Sequence, residues 1–239
     1  MDLTNSSLDM REETFWEKMA RTKWGRYISE VEQRAILKAN GLAKGAKAHT
    51  AIDVGCEGGR WSKLLVDLGW DVICIDIFPN ELAKCQKRLP TTKCILIDKH
   101  SKTLPCEREK LELVLCIEVP AIASEWFCAE AFRVLYPGGL VVGVFLNKLS
   151  IRGYFYHLVS SLWGRNDYYK HAYPSWRKKF CTQGFKMIAE EGICWFPFSR
   201  GSNSALVPMI TKIEQYLGMR RMPIVSPWIV FVAQKVSLG

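Results

Sequence analysis

One stretch groups residues suited to chemistry: Asp53-Val54-Gly55-Cys56-Glu57-Gly58-Gly59-Arg60. It follows a short apolar run and opens a helical pattern. Glycines at such a junction let the backbone approach a ligand closely and take positive φ. The free N–H groups of the following helix favour an anionic group. A second apolar run ends in Asp76, about twenty residues further on, where an acidic side chain can accept both hydrogen bonds of a ribose diol. The glycines, the strand context and the spaced acid together point to a nucleoside-containing cofactor. There is no G-x-x-x-x-G-K-S/T, which disfavours a P-loop NTPase. The spacing is not G-x-G-x-x-G, and Asp53 at the strand's end would repel a pyrophosphate. It suits a cationic ligand instead.

The elements that must position these residues alternate regularly. Apolar runs at 50–54, 71–77, 93–97, 111–117 and 140–145 predict strands. Helical spacing at 61–66, 81–88 and 121–135 fills the gaps, with Pro137-Gly138-Gly139 breaking the last helix. Near-continuous apolar strands between helices predict a parallel sheet covered on both faces, a doubly wound α/β fold. Residues 11–40 read as one or two amphipathic helices, with Trp24, Ile28, Val31 and Ala35 on one face. Residues 148–183 interrupt the alternation with an aromatic, basic insertion. It resumes with strand 184–188, a helix over 206–217 and a last strand at 228–235.

Composition sets the outer limits. The chain has 239 residues, 49% hydrophobic and 24% charged, which is globular usage. The longest clean apolar run, Leu140 to Leu146, is too short for a membrane helix. The first residues are polar and acidic, unlike a secretory signal. Nine cysteines, with no C-x-x-C pair, read as small buried hydrophobes in a reducing compartment, so the protein is expected in the cytoplasm. No metal site is expected, because such sites need clustered ligands. The net charge of +9 lies wholly in residues 147–239, with thirteen Lys and Arg against four Asp and Glu. The same segment holds sixteen of the 28 aromatics. A basic, aromatic-rich third suits an anionic partner, RNA or a membrane surface.

Five segments resemble class I S-adenosylmethionine-dependent methyltransferases, of the ubiquinone/menaquinone type that acts on small molecules. Asp53 to Gly59 resembles the family's first motif and Asp76-Ile77 its ribose-binding acid. Asp98 falls where the family places an acid near the adenine, and Leu104-Pro105 matches its Leu-Pro. Glu130-Ala131-Phe132-Arg133-Val134-Leu135-Tyr136-Pro137-Gly138-Gly139 is similar to the family's E-x-x-R-V-L-x-P-G-G, the most specific match. The resemblance is strongest over 48–146. It implies a Rossmann-like seven-stranded sheet, mostly parallel with an antiparallel last strand, N-terminal helices and an inserted helical cap. It implies one domain over 1–239: a lid at 1–47, a cofactor core at 48–146, a substrate cap at 147–183 and C-terminal strands with a helix at 184–239. The implied cofactor is S-adenosyl-L-methionine, held by Asp53, Gly55, Cys56, Gly59, Asp76, Ile77, Asp98 and Cys116. Glu57 stands where the family has a glycine, and Glu112 where its fourth strand begins with Asp.

Methyl transfer from a sulfonium is an in-line displacement, in which positioning and desolvation carry much of the catalysis. An oxygen nucleophile must still lose a proton. Glu118, past the fourth strand, and His157 and His171, in the cap, are the candidate bases. Trp16 and Trp24 in the lid and Tyr154, Tyr156 and Tyr169 in the cap are candidate substrate contacts. Aromatics mixed with cations suit a flat ring or acyl chain bearing a carboxylate or phosphate. The expected reaction is methyl transfer to a small, acidic or lipid-linked molecule. RNA methylation is an alternative, motivated by the basic last third. A non-catalytic module, motivated by Glu57, is another.

Overall fold

The computed structural model describes residues 13–43, 49–156 and 169–236. Seven strands form one sheet: β1 (Thr50–Val54), β2 (Asp71–Asp76), β3 (Lys93–Leu96), β4 (Leu111–Cys116), β5 (Leu135–Leu146), β6 (Phe185–Ile193) and β7 (Trp228–Lys235). Their order is β3-β2-β1-β4-β5-β7-β6. β7 is antiparallel to both its neighbours, while the β3-β2-β1-β4-β5 ladder is parallel. β4 is buried at every position, as a central parallel strand covered on both faces requires.

Helices cover each face. α1 (Phe15–Ala20) and α2 (Lys23–Leu42) precede the sheet, and α3 (Arg60–Asp67) and α4 (Pro79–Arg88) follow β1 and β2. The apolar sides of α2, α3 and α4 pack on Ala51, Val72, Cys74, Leu113 and Leu115. Trp24, Ile28 and Val31 of α2 are each 1% exposed, as their spacing predicts. The other face receives α5 (Glu125–Val134) and α6 (Tyr173–Thr182), against Ile52, Val114, Val141 and Phe231. α7 (Val207–Tyr216) buries Val207 against the first core. Among the described residues no helix is long and apolar enough to cross a membrane.

Three local expectations change. The helix expected over 121–135 is split, because Ser124 is extended and closes a 3-10 turn at Pro120–Ala123 before α5 begins. The last strand before the insertion starts at Leu135, not Leu140. Leu135 pairs with Leu111, the register then shifts, and Leu140 pairs with Leu113. Pro137 to Gly139 are thus a bulge within β5, fastened where Gln234 Nε2 donates to the Gly138 carbonyl at 2.9 Å.

The aromatic insertion also differs from a cap in its second half. Tyr173, Trp176 and Phe180 of α6 are buried and stack in series onto Phe185, with centroid spacings of 5.6, 4.7 and 4.3 Å. Trp176 donates its indole N–H to the Ile122 carbonyl at 3.0 Å. Spacing of three and four residues on one helix face, not ligand contact, accounts for these rings.

Replacing Trp176 by Ala removes a buried ring from this stack and orphans the Ile122 carbonyl. The expected loss is about 3–5 kcal/mol, read as a lower urea midpoint.

Candidate active site

Reversal of strand order between β1 and β4 leaves a crevice at the carboxyl ends of these strands, where doubly wound folds place ligands. The loop after β1 turns there through three left-handed residues, Gly55 (φ 71°), Glu57 (φ 51°) and Gly59 (φ 77°). A side chain at Gly55 would meet Val119 at 2.5 Å, so only glycine fits. Glu57 takes the conformation that a glycine would favour, at a cost of order 1 kcal/mol.

β2 compensates. The Ile75 carbonyl accepts from the Gly55 and Cys56 N–H groups at 2.8 and 3.1 Å. Asp76 Oδ2 accepts from the Glu57 N–H at 2.8 Å, and Oδ1 accepts from the Phe78 N–H at 2.9 Å. Asp76 is therefore fixed in direction and 6% exposed, with lone pairs still available on both oxygens. Beneath the loop, Asp53 is buried and accepts from Ser62 Oγ at 2.5 Å, and burial pushes its carboxyl up to about 7.

α1 sits on the turn. Thr14 caps this helix in a reciprocal capping box with Glu17, and its methyl group lies 2.6 Å from where a Gly58 side chain would begin. Arg88 of α4 clasps Glu17 at 2.6 and 3.1 Å. Burial raises the Glu17 carboxyl, but the Arg88 and Thr14 hydrogen bonds outweigh it and hold it below its usual value. Burial pushes the Glu57 carboxyl up to about 7.

A buried charge cluster closes the other side of the crevice. Arg200 donates to Glu118 at 2.6 Å and to the Gly25 carbonyl at 3.0 Å. Arg60 donates to Ser29 Oγ at 2.8 Å and reaches Glu32 at 3.5 Å. Glu32 is fully buried and its Oε1 has no hydrogen-bond partner among the described residues. Burial, then the charge of Glu118, raise the Glu32 carboxyl well above its usual range, against the pull of Arg200 and Arg60.

The remaining predicted residues fall into three groups. Ile77 is exposed beside Asp76, Cys116 is buried at the end of β4, and burial pushes its thiol up. Asp98 is exposed past β3, where its Oδ1 accepts from the His100 N–H at 2.7 Å. Glu118, the expected base, is left-handed (φ 57°) and engaged by Arg200, so it acts within an ion-pair cluster. His171 is exposed beside a cavity of about 400 Å³ that Ser124, Trp176 and Lys179 also line. His157 lies outside the described residues.

Trp16 stays half exposed on α1, and Tyr154 and Tyr156 are exposed. Trp24 is corrected to a core residue, 5.0 Å from the rings of both Tyr27 and Phe198. Tyr169 is likewise buried, its hydroxyl accepting from Trp228 Nε1 at 2.8 Å.

Sequence reasoning missed Thr14, Glu32 and Arg200, and gave Arg60 no role beyond its place in the first motif. Thr14-x-x-Glu17 carries a capping-box signature. Glu32 interrupts the apolar face of α2, four residues after Ile28, which marks a buried charge. Nothing in the sequence singles out Arg200.

Residues 52–143 match the methyltransferase domain family. A Schizosaccharomyces pombe protein described as uncharacterized methyltransferase-like is 28% identical over 156 residues, covering 62% of this chain and 57% of its own. The ubiquinone biosynthesis O-methyltransferase of Bartonella bacilliformis is 30% identical over 164 residues, covering 64% of this chain and 66% of its own. The match thus spans less than two thirds of either relative. The crystal structure of geranyl diphosphate C-methyltransferase from Streptomyces coelicolor, bound to S-adenosyl-L-homocysteine, superposes with a TM-score of 0.57 at 14% identity. That match covers 87% of this chain and 82% of the other, and it shows a shared fold.

The raised Glu32 carboxyl has a measurable consequence. A carboxyl raised in the folded state contributes its full stability below the ordinary value of 4.5, and that contribution falls as pH rises toward the folded value. Relative to Glu32→Gln, the native chain is expected to lose stability as pH rises from 4.5 toward the folded value, by up to about 1.4 kcal/mol per pH unit. Urea denaturation of both proteins across the pH range checks this; parallel curves would contradict it.

Proposed function

We propose that this chain, whose residues 52–143 match the methyltransferase domain family, is a class I S-adenosylmethionine-dependent methyltransferase that methylates a small molecule, acidic or lipid-linked. The observation that carries the reading is the locked pair of glycine turn and Asp76 at the switch point, joined by the 2.8 Å bond from the Glu57 N–H. When bound, the cofactor supplies a methyl group already activated by its sulfonium.

The residues fit that group. Asp76 presents a directed carboxylate to a vicinal diol. Arg60 and Arg200 bracket the Glu32–Glu118 pair on the other side, and a ligand carboxylate would complement their guanidinium groups. Gly55, Cys56 and Gly59 shape the turn, Asp53 anchors it through Ser62, and Ile77, Asp98 and Cys116 stand at the strand ends around it. In this reading residues 48–146 hold the cofactor, 1–47 and the first half of 147–183 cover it, the second half of that segment packs on the sheet, and 184–239 complete the sheet. The chain's residues act chiefly by orienting the reactants and excluding water. His157 and His171 remain the candidate proton acceptors for an oxygen nucleophile.

The excess positive charge of the last third supports an anionic substrate, and the named activity of the Bartonella relative, ubiquinone biosynthesis O-methyltransfer, supports a lipid-linked one. Many of these cations are already engaged: Arg177 by Glu190, Lys179 by Glu125, Arg200 by Glu118, Arg220 by Glu191 and Lys235 by Glu109. That pairing bears most on a nucleic-acid surface, which needs several free phosphate contacts, whereas a single acidic group needs only one or two cations. The glycine-like conformation of Glu57 keeps the turn intact, which favours an active enzyme over a non-catalytic module.

Calorimetric titration with S-adenosylmethionine tests the site. Asp76→Ala is expected to weaken binding at least tenfold, roughly 1.4 kcal/mol. Unchanged affinity would remove the assignment. S-adenosylhomocysteine release with pooled acidic metabolites and lipids, but not with RNA, is the expected substrate profile.

A further inference from the structure

Behind the glycine turn, four cysteines from four different elements converge. Cys56 belongs to the turn itself, Cys74 to β2, Cys85 to α4 and Cys94 to β3. The sulfurs of Cys56, Cys74 and Cys85 all lie within 4.8 Å of one another. Cys94 Sγ is 3.8 Å from Cys85 Sγ. Cys74 and Cys94 are direct partners in the β2-β3 register, so their side chains share a face of the sheet. The expectation of dispersed cysteines, and with it the argument against a metal site, does not survive this geometry.

We infer that Cys56, Cys74, Cys85 and Cys94 form a thiolate site for a soft divalent cation of the zinc class. Tetrahedral zinc with Zn–S bonds of about 2.3 Å places its sulfurs about 3.8 Å apart. The Cys85–Cys94 pair already has that separation, and the triangle needs a contraction of no more than about 1 Å. Soft sulfur donors without carboxylate or imidazole in the set select zinc, cadmium or copper(I) over magnesium and calcium. Cys56, Cys74 and Cys85 are buried, so the hydrophobic shell excludes competing water. Entry is from the sheet edge, because β3 is the outermost strand and Cys94 is only half-buried. Each thiol that binds forms a metal–sulfur bond and releases its proton to solvent; no electron is transferred.

The site's position gives it a consequence for the turn. Cys56 is one of the turn residues, and Cys85 Sγ lies 2.7 Å from where a Gly59 side chain would start. An ion here ties the turn to α4 and the edge strand. The inference rests on the cysteines alone, and metal binding is measured without the cofactor. Its failure therefore leaves the methyltransferase reading intact, and the converse also holds.

The test uses the full reduced chain. Cadmium is titrated while the ultraviolet thiolate-to-metal band is followed, and zinc retained after gel filtration is counted by mass spectrometry. One ion per chain is expected, with release of three or four protons in weak buffer. Cys85→Ser and Cys94→Ser should each weaken binding at least about tenfold, while Cys128→Ser leaves it unchanged. Cys94→Ser, at the half-buried edge position, keeps the test decisive if Cys85→Ser does not fold, as read by circular dichroism. No retained ion in the native chain, or native affinity in both cysteine variants, overturns the inference. So does equal loss with Cys128→Ser.

Discussion

The end of β2 holds the start of the turn after β1, and most of the crevice follows from that. One carbonyl, Ile75, takes two successive N–H groups, and one carboxylate, Asp76, takes the third. Buried backbone donors need partners, so these three bonds satisfy what a tight left-handed turn would otherwise leave open. They also explain how Glu57 is tolerated where glycine would be cheaper. The strain of its positive φ is offset by a charge-assisted hydrogen bond, worth about 1.5–3 kcal/mol. The same bond orients Asp76, so the conformation of the turn and the direction of this carboxylate are one constraint.

The glycine turn and the spaced acid were legible from the residues, and so was the sheet that supports them, but the bond from Glu57 to Asp76 that joins them was not. Apolar runs of five to seven residues ending at glycine or acid marked β1, β2 and β4, because parallel strands buried on both faces must be apolar throughout. Trp228 to Lys235, though antiparallel, was legible because it too is an interior strand buried along most of its length. The bulge in β5 was not, since Pro137-Gly138-Gly139 is equally good chemistry for a helix stop. Burial of Trp176 and Tyr169 was also hidden. Aromatic residues near cations look alike in sequence whether they line a pocket or fill a core, and only packing decides.

Long-range encounters were the least legible. Glu118 and Arg200 are 82 residues apart, and Arg88 reaches Glu17 across 71. The cysteine cluster draws on residues 56, 74, 85 and 94, spacings that carry no local signature. Only the register of β2 with β3, and the return of α4 over them, brings those sulfurs together. Helix packing also brings Glu32 next to Glu118, two acids whose mutual repulsion is relieved by guanidinium groups from opposite ends of the chain.

The seat of α1 has its own implication. Six residues are too few for a helix to persist unaided, so this one exists because Thr14 rests on Gly58 and Arg88 grips Glu17. The two clasps therefore make the folding of the helix and the packing of the turn interdependent: loss of either would let α1 fray and uncover Gly58.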